Sequence, residues 1–237
     1  MKRLNAFCIL ILTLTLISCS SKNTIKKYDG SAPLKDTTVV PSSEKINEPI
    51  SVSPLATKDF MLPFDRFSWE REYAPEYVMI HFTSAVMVDR EDPYNIEKVR
   101  KIFEDNEVSI NYIIDRDGEI RCYIPEYRVA WHAGKGSYGN IEKLTDAMNK
   151  YSIGIELVAM GSWNDMSVYM SKEEYLSLDQ SLMGFTDEQY TSLKGLVKDI
   201  CERNDIPFDR EHVIGHSEYK SEKTDPGELF DWNRILK

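Results

Sequence analysis

The sequence has little cysteine and little histidine, with four of each in 237 residues, and it lacks an excess of positive charge. Cys8 and Cys19 belong to an N-terminal segment, so Cys122 and Cys201 are the cysteines left for a folded region. Two cysteines allow one disulfide but not the framework of bridges that holds small secreted domains together. The formal net charge of −10 argues against a nucleic-acid partner.

The apolar run at residues 6–17 is too short to cross a bilayer as a helix. It follows Lys2 and Arg3, and it has the length of a signal-peptide core. The run ends in Leu-Ile-Ser-Cys, which resembles a bacterial lipobox, so we expect residues 1–18 to be a lipoprotein signal peptide and Cys19 to carry the lipid. The alternative is an ordinary cleaved signal with an incidental cysteine. Because Ser20 is not the aspartate that retains enterobacterial lipoproteins in the inner membrane, we expect an outer-membrane anchor facing the periplasm.

Residues 20–58 are rich in serine, threonine, lysine and proline and lack a periodic apolar pattern. This composition is typical of a flexible linker. We therefore expect residues 19–58 to be the lipidated cysteine and a tether, with a root-mean-square span of roughly 35 Å. The folded domain is then predicted to cover residues 59–237, and the 42% of hydrophobic residues in the chain is sufficient for a packed core.

Strands and helices alternate in this predicted domain. Residues 77–82 and 152–158 are β-rich apolar runs, and residues 212–214 form a third, shorter run. Residues 115–118, Asp-Arg-Asp-Gly, indicate a hairpin turn between two further strands. These patterns predict an α/β domain in which helices flank a single mixed central sheet.

Two helices have recognisable starts. Asp92 and Pro93 precede apolar residues at helical spacing, and Thr186 with Gln189 forms a capping box for a helix that runs to about Arg203.

Two histidines and one aspartate form a candidate metal site. His81 lies near the end of the predicted strand at 77–82 and His216 follows the one at 212–214, and Asp225 lies in a polar segment nine residues after His216. Two imidazoles and one carboxylate give zinc three protein ligands and leave its fourth position open, which is typical of catalytic zinc. The alternatives are a satisfied core or surface imidazole at His81 and a solvated surface loop at 216–225.

Glu156 interrupts the apolar residues of the predicted strand at 152–158. A carboxylate in such a position is paired, protonated or functional, because an isolated buried charge is costly. As a catalytic group it would take a proton from the attacking water and pass one to the leaving nitrogen. The alternative is a buried salt bridge to an arginine. Lys223, two residues before Asp225, is a candidate for stabilising an oxyanion, or else an exposed lysine in an acidic loop.

Six motifs in succession resemble the type 2 N-acetylmuramoyl-L-alanine amidases, a superfamily that includes cell-wall recycling amidases, amidase-type phage lysozymes and animal peptidoglycan recognition proteins. The resemblance runs in order over about residues 76–233. The motifs are residues 78–81, 111–112, 129–134, 152–158, 185–189 and the pair 214–218 and 223–227.

The resemblance implies one Zn²⁺ per chain, held by His81, His216 and Asp225. It also implies that Glu156 is the general base and acid and that Lys223 lies on the oxyanion side. The implied fold is that of the peptidoglycan recognition proteins and their amidase relatives.

The resemblance further implies that Tyr112 and His132 line the substrate cleft, and Trp131 could offer its face to a sugar or peptide as a third substrate-binding residue. The alternatives are an aromatic core residue for Tyr112 or Trp131, and for His132 an imidazole that supports the metal ligands or lies in a loop. Residues 161–184, which follow the Glu156 strand, are predicted to form a specificity wall beside the cleft, or a surface excursion.

Together these features predict a monomeric, lipid-anchored envelope enzyme. It would hydrolyse the amide between N-acetylmuramic acid and L-alanine of peptidoglycan or of muropeptides. Two other hypotheses remain open: a module that binds peptidoglycan without cutting it, and a zinc hydrolase for another cell-wall amide.

Overall fold

The two longest apolar runs become the two longest strands in the computed structural model, which describes residues 52–236. The predicted signal peptide, the predicted lipidation site Cys19 and residues 20–51 of the predicted tether lie outside this range. The strands are β1 Ser68–Glu70, β2 Tyr77–Thr83, β3 Tyr112–Ile114, β4 Ile120–Cys122, β5 Arg128–Ala130, β6 Ser152–Val158 and β7 Val213–Gly215. The α-helices are α1 Phe64–Phe67, α2 Ile96–Asp105, α3 Met148–Tyr151, α4 Trp163–Met166, α5 Lys172–Ser177, α6 Asp187–Arg203 and α7 His216–Tyr219.

The central sheet has five strands in the order β4-β3-β6-β2-β7. β3, β6, β2 and β7 are parallel, and β4 is antiparallel to β3, so the predicted mixed sheet is confirmed. Both β2 and β6 are internal strands with apolar residues on both faces, as expected where helices and loops cover both sides of a parallel sheet. The register pairs His81 with Glu156 and Ile80 with Gly215.

The long helix α6 covers one face of the sheet. Its buried side chains include Leu193, Leu196 and Ile200, which pack with alternate residues of β2 and β6. Thr186 is the N-cap and forms the predicted capping box with Gln189. The Phe185 and Tyr190 rings lie 5.9 Å apart between centroids, packing across the first turn of the helix.

One predicted helix boundary needs correction, and one short helix was not predicted. α2 begins at Ile96 and not at Asp92, because the side chain of Asn95 accepts the Lys98 N–H and so caps the helix. His216 begins the short helix α7, where the sequence had shown no helical period.

The folded domain also begins earlier than residue 59. Thr57 pairs with Arg121 and so extends the sheet beyond β4, exchanging backbone hydrogen bonds with Ile120 and Cys122. Ser53 is buried, and its N–H donates to the hydroxyl of Tyr112 at 2.8 Å. Residues 52–58 are thus part of the domain, because Thr57 pairs with an otherwise open sheet edge and Ser53 is buried against Tyr112.

A second, two-stranded sheet pairs β1 with β5. The buried guanidinium of Arg71 holds it to the central sheet by donating to four backbone carbonyls, those of Glu126, Arg128, Lys150 and Ser152. No helix in residues 52–236 is both long enough and apolar enough to cross a membrane.

Candidate active site

The three predicted metal ligands converge at the carboxyl ends of neighbouring strands. Oδ2 of Asp225 lies 2.7 Å from Nδ1 of His81 and 3.1 Å from Nδ1 of His216. One ligand atom from each of the three residues falls within 4.8 Å of the others. His81 is carried by β2, and His216 directly follows β7, which pairs with β2; the loop after α7 then returns Asp225 to both imidazoles.

The hydrogen-bond geometry of these groups suits a cation. Nε2 of His216 lies 2.9 Å from the Ala133 carbonyl, which can only accept, so this nitrogen carries a proton. When Nδ1 of His216 is bare it presents a lone pair to Asp225, and two lone pairs 3.1 Å apart repel unless a positive charge lies between them. A buried site with imidazole nitrogens and a carboxylate is a donor set that zinc prefers.

The imidazole of His81 is likewise held in its neutral form. The residue is only 2% exposed, and burial lowers the pKa of its imidazole to about 4. A neutral imidazole can ligate a metal, whereas a protonated one cannot. The site therefore keeps His81 ready to ligate at neutral pH.

Glu156 lies beside His81, as its register partner on the adjacent parallel strand. Its Oε2 is buried and has no hydrogen-bond partner among residues 52–236, so the predicted alternative, an arginine salt bridge, does not satisfy this oxygen. Burial raises the pKa of Glu156 well above its usual value; the Asp225 carboxylate raises it further, and Lys223 opposes the rise. A carboxyl group with a raised pKa and an unsatisfied oxygen can exchange protons with a bound molecule.

These groups open into one cavity of about 570 Å³. Lys223 is exposed on the loop that carries Asp225 and lines this cavity with the two histidines and Glu156. Part of the predicted specificity wall lines it too, namely Asn164, Asp165, Met166, Val168 and Tyr169. Met87 and Val88, more than half exposed, face the same cavity from another segment. The two histidines and Glu156 thus form a polar, ionisable floor of the cavity, and apolar side chains such as Met87 and Val88 form its rim.

Tyr112 is not part of the cleft, which corrects the prediction. It is fully buried on the α6 side of the sheet, in the same cluster as Ile155 and Leu193. Its hydroxyl donates to the carboxylate of Glu126 and accepts from the Ser53 N–H. The aromatic core role, which the sequence left open, is the one observed.

Trp131 and His132 do line the cavity. The Trp131 ring lies 5.4 Å from the half-exposed Trp69 ring, and its buried Nε1 has no hydrogen-bond partner within the described part of the chain. Both nitrogens of His132 are used by the protein: Nδ1 is 2.9 Å from His81 Nε2, and Nε2 is 3.2 Å from the Ser152 hydroxyl. This favours a supporting role for His132 over a polar contact with substrate.

Sequence reasoning did not single out Ser152, Gly154 or Asn149. The first two belong to the same face of β6 as Glu156, and the side chain of Asn149 accepts the backbone N–H groups of His132 and Ala133. For Ser152 and Gly154 the sequence did hold a usable signal. Side chains alternate between the two faces of a strand, so residues 152, 154 and 156 lie on the same face.

Comparison with known proteins identifies related sequences. The family model described as N-acetylmuramoyl-L-alanine amidase (Amidase_2) matches residues 71–228. The 1,6-anhydro-N-acetylmuramyl-L-alanine amidase AmpD of Enterobacter cloacae is 34% identical over 129 residues, which is 54% of this chain and 55% of the relative. The N-acetylmuramoyl-L-alanine amidase AmiD of Escherichia coli is 31% identical over 139 residues, 55% of this chain and 44% of the relative. The chain thus spans about half the length of the curated relatives it matches.

Solved structures show the same fold. A selenomethionine derivative of AmpD superposes with a TM-score of 0.52 at 25% identity, covering 77% of this chain and 93% of that one. AmpDh3 of Pseudomonas aeruginosa superposes with a TM-score of 0.50 at 24% identity, covering 74% of this chain and 65% of that one. Because the identity to AmpDh3 is only 24%, this similarity concerns the fold alone.

Proposed function

Because this chain belongs to the N-acetylmuramoyl-L-alanine amidase family, whose model it matches over residues 71–228, we propose that it is a zinc-dependent amidase. Its substrate would be the amide bond between N-acetylmuramic acid and L-alanine of peptidoglycan stem peptides. The observation that carries the proposal is the convergence of His81, His216 and Asp225 beside a carboxyl group, Glu156, whose Oε2 is unpaired, at the floor of one cavity.

In this proposal His81, His216 and Asp225 hold one zinc ion. Bound there, zinc supplies a Lewis acid that polarises a carbonyl group and acidifies water. The neutral state of His81 and the lone pair of His216 Nδ1 are what this binding requires of the protein.

Glu156 is the proton carrier. Its unpaired Oε2 accepts a proton from the attacking water and returns one to the nitrogen of the departing L-alanine. A cation held by His81, His216 and Asp225 would oppose the rise that burial imposes on the pKa of Glu156, as Lys223 does, and would bring the carboxyl group toward the range useful near neutral pH.

Lys223 stabilises negative charge that develops on the substrate carbonyl oxygen. It lines the cavity, and its charge is close enough to the floor to oppose the pKa rise of Glu156. The apolar rim and Trp131 hold the remainder of the substrate and limit access of bulk water.

The cell-envelope setting is a further part of the proposal and derives from the sequence alone. A lipid on Cys19 and a linker would hold the domain near peptidoglycan. Two alternatives compete with the amidase activity: a module that binds peptidoglycan without cutting it, and hydrolysis of another cell-wall amide. The retained metal set and Glu156 favour an enzyme over a binding module.

The test is mass spectrometry of purified muropeptides after incubation with the purified protein. The arms are zinc-loaded protein, protein with a zinc chelator, Glu156→Gln, and the matched control Glu173→Gln, which changes an exposed glutamate of α5. We expect free stem peptides that begin with L-alanine from the zinc-loaded protein and the control only. Cut crosslinks with intact muramoyl amides would instead support another amide as substrate, and bound but intact muropeptides in every arm would support a binding module.

A further inference from the structure

A line of hydrogen bonds runs from the backbone of α3 to the candidate metal site. The Ser152 hydroxyl lies 2.8 Å from the Met148 carbonyl and 3.2 Å from His132 Nε2. His132 Nδ1 lies 2.9 Å from His81 Nε2, and His81 Nδ1 faces Asp225. Each member thus contacts the next through one pair of atoms.

The direction of these bonds follows from the protons available. A serine hydroxyl has one proton, and the Met148 carbonyl can only accept, so Ser152 donates to Met148 across the shorter contact. Ser152 then accepts from His132 Nε2–H. A neutral imidazole that donates at one nitrogen accepts at the other, so His132 Nδ1 accepts from His81 Nε2–H. His81 is left with a bare Nδ1 that faces Asp225.

The opposite direction of these hydrogen bonds would prevent His81 from binding a metal through Nδ1. If Ser152 donated to His132, then His132 would donate to His81, and the proton of His81 would lie on Nδ1, where a metal must bind. The choice between the two tautomers of His81 is therefore made at Ser152, which His132 alone separates from this ligand.

The position of the His132 ring is fixed from two sides. The backbone N–H groups of His132 and Ala133 donate to Asn149 Oδ1 at 3.1 and 2.8 Å. On the sheet side the ring lies over Gly154, where an added Cβ would come within 2.7 Å of His132 Cγ. Three alternate positions on one face of β6 thus serve the site. Ser152 accepts from His132, Gly154 leaves room for the His132 ring, and Glu156 is the proton carrier.

We propose that Ser152 and His132 form a relay that holds His81 in the tautomer with a bare Nδ1 and thereby sets the affinity of the site for zinc. His132 is then a positioning residue and not a substrate-binding one. This inference rests on the metal set of the proposed function, but not on the identity of the substrate.

The test measures zinc affinity by competition with a chromophoric chelator, so it does not depend on amidase activity. His132→Phe removes both ring nitrogens, His132→Asn keeps an acceptor near the position of Nδ1, and Ser152→Ala removes the anchor of the relay. His212→Phe is the matched control, since this partly exposed histidine bonds to Asp209 and is no part of the relay.

We expect His132→Phe to weaken zinc binding by about 10- to 100-fold, the range typical for partners of metal-ligating histidines. His132→Asn should recover most of that loss, Ser152→Ala should weaken binding by several fold, and the control should match the wild type. In the cobalt-substituted proteins, the visible absorption bands should shift for His132→Phe and return for His132→Asn.

Zinc affinities of His132→Phe and Ser152→Ala within about twofold of the wild type would overturn the relay. So would equal losses in His132→Phe and His132→Asn, because packing alone would then account for them. If His132→Phe fails to fold, Ser152→Ala and His132→Asn still decide the matter. A wild type that binds zinc but cleaves no muropeptide would defeat the proposed function, and the relay would stand if the variants keep the stated order.

Discussion

The two faces of the central sheet are built from the same strands, but they serve opposite purposes. On the α6 face, Val78, Ile80 and Ile155 join a closed apolar cluster. On the other face, the intervening positions carry His81 and Glu156 at the floor of a cavity. Because side chains alternate along a strand, one residue step separates a core position from a chemical one. The backbone that positions the reactive groups is therefore held by the packing of their immediate neighbours.

The largest effect should come from Glu156→Gln on the cavity face. We expect the rate of amide hydrolysis to fall by about 10²- to 10⁴-fold, the usual contribution of a general acid–base group. The stability of the metal-free protein should not fall, because a neutral amide replaces a buried carboxyl group of raised pKa. Steady-state kinetics and urea unfolding measure the two quantities. A hydrolysis rate within tenfold of the wild type would remove Glu156 from the proposed mechanism.

The neighbouring change on the α6 face, Ile155→Ala, should have the opposite signature. Ile155 is fully buried, and truncating such a residue typically costs about 2–5 kcal/mol of unfolding free energy. Below the unfolding transition, activity per folded molecule should stay close to that of the wild type. If the hydrolysis rate fell as steeply as the stability, the two faces would not be separable in the way that the structure indicates.

Tyr112→Phe tests the corrected position of a residue that had been expected in the cleft. The change leaves the Ser53 N–H without its acceptor and removes the hydroxyl that donates to Glu126. Leaving buried groups unpaired should cost about 1–3 kcal/mol of unfolding free energy. The KM for muropeptides should not change, since Tyr112 is buried on the α6 side. A rise in KM without loss of stability would restore Tyr112 to the cleft.

The smallest effect should be a pH dependence of the unfolding free energy that arises from Glu156 on the cavity face. The folded-state pKa of Glu156 lies well above its usual value of 4.5, so the folded protein binds a proton more tightly than the unfolded chain. This contribution to stability is complete below about pH 4.5 and is lost as the pH rises toward the folded pKa. With a chelator present, Glu156→Gln should therefore gain stability relative to the wild type as the pH rises from 4.5. Parallel curves of unfolding free energy against pH would contradict this.

Much of the site could be predicted from sequence because its residues break local patterns. Glu156 is a carboxylate in an apolar run, and His81 and His216 lie at the ends of runs whose pattern is typical of strands in a buried parallel sheet. Tyr112 could not be placed, because alternation shows that residues 112 and 114 share a face but not which face the cavity occupies. Residues 52–58 were assigned to the linker because their composition does not show that a sheet edge is free to receive them.

The sequence by itself determined the strands of the central sheet, the capped helix α6, the candidate ligands and the resemblance to an amidase family, because these depend on local periodicity and on residue chemistry at fixed positions. Only the tertiary structure decided which side of the sheet is the cavity, that Tyr112 belongs to the core and that His132 contacts His81 and Ser152 instead of standing free. The physical reason is that tautomer, burial and hydrogen-bond partner are properties of neighbours brought together from distant parts of the chain.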